Sequence, residues 1–87
     1  VSDREERIEA RLRERLKPSF MQLLNESHLH VGHAGAATGL GHFSLLIESQ
    51  QFANLSMLER HRLVYDALGD LMFTDIHALK IQARSKP

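Results

Sequence analysis

One segment limits the choice of fold more than any other. From Ser56 to about Thr74 the apolar positions recur at helical spacing: Met57/Leu58, His61, Val64/Tyr65, Leu68 and Leu71/Met72. Ser56-Met-Leu-Glu59 opens it with the spacing of a capping box, in which a hydroxyl and a carboxylate satisfy the orphan amides of a helix N-terminus. The helix predicted here stops around Phe73-Thr74. On either side of it the period falls to two. In "HFSLLIES", Phe43, Leu45 and Ile47 share one face while His42, Ser44 and Glu48 take the other, with Leu46 out of pattern. In "IHALKIQAR", His77, Leu79, Ile81 and Ala83 face one way, and Ala78, Lys80, Gln82 and Arg84 the other. A helix joining two strands of one sheet demands a right-handed crossover, so these two strands should run parallel.

The remainder fits around that unit. Ser2-Asp-Arg-Glu5 is another capping-box spacing, followed by a narrow stripe of Ile8, Leu12 and Leu16 on a highly charged segment. Pro18 should end this helix near Leu16, because the residue before a proline is pushed out of the helical region. "SFMQLLNES" reads as a strand that forms a hairpin with "HFSLLIES" across a long loop, and "QQFANL" as a short connection. The predicted order is helix, strand, loop, strand, short turn, helix, strand: an α+β domain of two layers, with a three-stranded mixed sheet and helices on one face. At 87 residues the chain makes one domain. No apolar run approaches the roughly 18 residues of a membrane span and no leader segment is visible, so the expectation is a cytoplasmic protein away from the membrane.

Chemistry concentrates in "NESHLHVGHAGAATGLGHF", residues 25–43, which carries His28, His30, His33 and His42 and interrupts all periodicity. Imidazole is a common ligand for zinc, copper and iron, and H-x-H-x-x-H brings three of them close together. The same tract also reads as a solvated polar loop, since short histidine-rich stretches bind metals weakly and without selectivity. The absence of cysteine excludes a disulfide framework and any cysteine-ligated zinc or iron–sulfur site built from this chain alone. His77, on the face that Leu79 and Ile81 turn to the core, reads as a packing residue; His61, inside the helical stripe, reads as a buried structural histidine. His42 heads its strand and is placed to orient the loop by hydrogen bonding. Gly32-His-Ala-Gly35 matches the G-x-x-G clamp of nucleic-acid-binding KH domains in letters only, because it lies in a hairpin loop without Lys or Arg beside it. Gly39 and Gly41 are read as residues that let the loop turn before the second strand. An enzyme is not expected: there is no thiol nucleophile, no G-x-S-x-G elbow, no phosphate loop and no convincing carboxylate pair.

Taken together, "NESHLHVGHAG", "HFSLLIESQQF", "LSMLERHRLVYDAL" and "IHALKIQAR" resemble the BolA family, from about Arg4 to Arg84. The most specific element is Ser56-x-Leu58-x-Arg60-His61-Arg62-x-Val64-Tyr65, followed after the helix by Ile76-His77-Ala78-Leu79. The resemblance implies an αββααβ domain similar to type II KH domains, without a working G-x-x-G. It also implies a role as partner of a monothiol glutaredoxin, with a [2Fe–2S] cluster bridging the two proteins. In that arrangement the glutaredoxin contributes its cysteine and a glutathione thiol. The BolA side contributes the histidine that aligns with His77 and one ligand from the loop, which here must be a histidine. His30 aligns best and His33 is the alternative. Under the resemblance His77 becomes a ligand rather than a packing residue. Family members described as transcriptional regulators suggest a second class, DNA binding, for which Arg60, Arg62, Lys80 and Arg84 are the candidate basic residues. The equal counts of Lys+Arg and Asp+Glu, 11 each, make any such binding weak. A third reading is a lone zinc or copper binder that uses only the loop histidines.

Overall fold

A computed structural model of the chain describes residues 3–26 and 41–85. Helix α1 (Asp3–Leu16) leads into strand β1 (Phe20–Asn25). Strand β2 (Gly41–Glu48) is followed by a 3-10 turn (Gln50–Phe52), helix α2 (Met57–Leu68), a one-turn helix α3 (Leu71–Thr74) and strand β3 (Ile76–Arg84). The sheet order is β1-β2-β3, with β1 antiparallel to β2 and β3 parallel to it, as the crossover argument requires.

The core lies between the sheet and the helices. Ile8, Leu12 and Leu16 of α1 are buried in one core cluster with Phe43, Leu45 and Ile47 of β2, so both stripes read from the sequence are the packed ones. Val64, Ala67 and Leu68 of α2, with Leu71, Ile76, Phe52 and Ala83, complete it. α1 ends at Leu16; Lys17 takes a left-handed φ of 47° and donates its N–H to the Arg13 carbonyl just before Pro18. The capping box at Ser56 and Glu59 is formed in both directions.

Two expectations are corrected. The helix read as continuous from Met57 to Phe73-Thr74 is broken at Gly69, which adopts φ 53° and donates to the Tyr65 carbonyl. Arg11 closes the break from α1, donating to the Leu68 carbonyl and to Asp70. The break gives the αα pair of the αββααβ order. The buried face of α2 is narrower than the stripe, being Val64, Ala67 and Leu68: Met57, Leu58 and Tyr65, read as part of it, are exposed, and beyond the break Phe73 stands 82% exposed. The second correction concerns Gly41, which is not a loop residue. It is the first residue of β2, where its N–H donates to the Asp75 carbonyl. What requires glycine there is space, because a Cβ would sit 2.4 Å from the buried Phe43 ring.

Candidate metal-binding site

The parallel β2/β3 register contains one irregularity, and it falls on the candidate ligand. Gly41 pairs with Ile76, whereas the next residue of β2, His42, pairs with Ala78. His77 is therefore the extra residue of a β-bulge, a device that re-aims a side chain. Without the bulge, His77 would share the face of Leu79, Ile81 and Ala83. With it, Ile76 takes the core position at 2% exposure and His77 is exposed. The expectation of a core-facing His77 is thus overturned: Ile76 is one residue out of phase with the strand that follows, and the bulge absorbs the difference.

His77 lies beside His42, with ring centroids 5.0 Å apart and planes inclined by 51°. This spacing is within the range of favourable aromatic pairs. His42 is buried, at 7% exposure, while its neighbour is open to solvent. The pair therefore consists of one imidazole fixed by packing and one open to solvent.

Backbone hydrogen bonds hold both ends of the histidine-rich segment against this pair. Glu26 donates to the His42 carbonyl at 2.7 Å, and Gly41 to the Asp75 carbonyl at 3.0 Å. His28, His30 and His33 themselves lie outside the described residues. His61 is half-buried in α2, and its Nε2 is buried with no hydrogen-bond partner among the described residues. It belongs to the helix layer rather than to the His42–His77 pair.

Asp75 anchors the bulge from the other side. Its carboxylate, nearly buried, accepts from Arg4 Nε at 3.2 Å, from Arg7 Nη2 and from Thr74 Oγ1 at 2.9 Å. Burial pushes this carboxyl's pKa up, but the hydrogen bonds from Arg7, Thr74 and Arg4 together hold it below the ordinary aspartate value. The first two turns of α1 are in this way tied to the residue that precedes Ile76 and His77. Sequence reading missed both Asp75 and the closeness of His42. The only available signal was the two-residue step from an acidic Asp75 to His77, which has no pattern of its own.

Among the described residues, no group of three His, Cys, Asp or Glu side chains is placed to hold a metal ion. The described residues bring together one open imidazole and its buried neighbour. The basic residues do not assemble. Arg60 donates to the Leu55 and Ala83 carbonyls, which ties α2 to β3. Lys80 sits 3.8 Å from Glu26, Arg84 is in register with Glu48, and Arg62 lies on α2 beside Glu59 and Asp66.

Residues 12–87 match the family profile described as BolA-like protein. The chain belongs to the BolA-like family. BolA-like protein 1 of Mus musculus is 41% identical over 78 residues, covering 90% of this chain and 55% of the mouse protein, so the chain spans about half the length of that relative. The Escherichia coli protein named DNA-binding transcriptional regulator BolA is 36% identical, covering 87% of this chain and 70% of its own length. In three dimensions this BolA-like chain superposes on the BolA domain of SufE1 from Arabidopsis thaliana with a TM-score of 0.84. The match has 34% identity and covers 98% of this chain and 94% of that one.

Proposed function

We propose that this chain is an adaptor that binds a monothiol glutaredoxin and shares a bridging [2Fe–2S] cluster with it, in iron–sulfur cluster trafficking or iron homeostasis. The observation that supports this most is the bulge: it lifts His77 out of the core and presents it next to His42, where both ends of the histidine-rich segment are fastened. A ligand shared across two proteins has to be open to the partner and held in direction by its own fold. His77 meets the first condition by exposure and the second by its place in the bulge. His30 or His33 would supply the second ligand from this chain, and thiolates of the partner and of glutathione the rest; mixed imidazole–thiolate ligation has precedent in Rieske centres. His42 is the residue that braces His77, and His28 and His42 are the next ligand candidates should neither His30 nor His33 serve.

The test mixes the chain with a cluster-loaded monothiol glutaredoxin and follows visible absorption and electron resonance. His77→Ala is expected to remove the imidazole-ligated signature while leaving far-UV circular dichroism intact, because an exposed side chain contributes within about 0.5 kcal/mol to stability. Identical spectra for the wild type and His77→Ala reject the assignment. Single alanine variants at His30 and His33, and then at His28 and His42, identify the second ligand.

The name of the Escherichia coli relative favours a second reading, in which the chain binds DNA. Each candidate cation here is spent on a carbonyl or stands near a carboxylate, so few phosphates can be neutralised. Fluorescence anisotropy with duplex DNA should give weak binding that falls further with salt and shows no sequence preference. Tight, sequence-selective binding at physiological salt would establish the regulator reading instead.

A further inference from the structure

We propose that β1 is a self-association strand: two copies of this chain pair antiparallel through their β1 edges, about a two-fold axis at Gln22. The two outer edges of the sheet differ. β3 carries Lys80 and Arg84, and its Ala83 carbonyl is taken by Arg60, so that edge is charged and partly covered. β1 reads FMQLLN, with no charge, proline or glycine to blunt it, and no strand among the described residues pairs with its second side. Its outward-facing Phe20 and Leu24 are each 48% exposed.

The hydrogen-bond phase fixes which main-chain groups are on offer. Glu26 donates to the His42 carbonyl, so residues 20, 22, 24 and 26 direct their N–H and C=O groups toward β2. Met21 and Leu23 direct theirs to the outer edge, which no strand among the described residues covers. A two-fold axis normal to the sheet must pair side chains of the same face, which requires an axis through a residue rather than between two. Centred on Gln22, Met21 of one copy meets Leu23 of the other as a hydrogen-bonded pair exchanging both N–H···O bonds. On the open face, exposed Phe20 meets exposed Leu24 of the second copy twice over, at the closer spacing of a non-hydrogen-bonded pair. Shifting the axis to Leu23 would instead set Phe20 against Glu26. Matching apolar positions therefore select one register, and the strand is complementary to itself in it. A six-residue edge buries less than a standard interface, so the dimer is a weak one that forms and dissociates reversibly.

Sedimentation equilibrium of the intact chain from micromolar to millimolar concentration should show a reversible monomer–dimer equilibrium. Backbone amide exchange at Met21 and Leu23 should slow as concentration rises, while exchange at Gln22 stays as it was. Gln22 is exposed, so Gln22→Lys and Gln22→Glu keep the fold, which circular dichroism checks. Each variant alone places like charges face to face on the axis and should weaken the dimer by up to about fivefold. An equimolar mixture of the two should prefer the heterodimer. A single monomeric species up to millimolar concentration overturns the proposal. So does a dimer that ignores both substitutions, or a mixture with no preference for the mixed pair, since either would locate the contact on another surface or with another register.

Discussion

At Asp75 the sign of the pH dependence follows from which influence wins. Burial raises the carboxyl's pKa, the hydrogen bonds from Arg7, Thr74 and Arg4 lower it, and the net is a depressed value. A carboxyl with a depressed folded-state pKa contributes stability that is present above its unfolded value, about 3.9, and that is lost as pH falls through the folded value. Asp75→Asn should therefore cost about 2 kcal/mol at neutral pH, the scale of a charge-assisted hydrogen bond. The difference from wild type should shrink in acid, as urea titrations at pH 7 and near pH 3 would reveal. At Gly41 the issue is volume. The Phe43 ring, 1% exposed, lies where a Cβ would go. Gly41→Ala should destabilise the domain by about 1–3 kcal/mol, the cost of overpacking a filled core, and thermal unfolding would register it. Neither residue could be assigned its role from sequence. A glycine beside a loop suggests conformational freedom, and only the folded ring of Phe43 shows that space is the reason.

Elements were legible where period and punctuation agreed. α1 shows its stripe and its proline stop, β2 its alternation, and α2 its capping box, and each is found where the sequence puts it. Ser56→Ala should cost about 1 kcal/mol by removing the acceptor for the Glu59 amide, while Ser56→Asp should retain most of the stability; chemical denaturation distinguishes the two. What period alone does not carry is phase. A helical pattern continues smoothly across Gly69 on paper, because Leu71 and Met72 fall where the stripe expects them, yet the positive φ of Gly69 ends α2 and restarts the chain in α3. The same limit applies to β3. Its alternation from Ala78 onward is read correctly, and extending it back by one residue put His77 on the wrong face. A bulge is a phase slip set by the partner strand, and the partner strand is not written next to it.

Over the whole molecule, charge is balanced, with 11 basic and 11 acidic residues and a pI of about 7.2. Net charge near zero favours association, so solubility should pass through a minimum close to pH 7. Solubility should rise on either side of that minimum as net charge grows, which turbidity or light scattering across pH would follow. The layout of the sheet has a further effect, on timing. β2 is central and is joined to β1 by a hairpin, but its other neighbour, β3, follows α2 and α3 in the chain and is therefore synthesised after them. His42 and His77 are therefore neighbours in space and distant along the chain. During synthesis the histidine-rich segment leaves the ribosome long before His77 does, so a half-made chain has the loop imidazoles without the one that the bulge presents. The pair comes into existence with the docking of the last described strand, and a chain cut short before Ile76 can never form it.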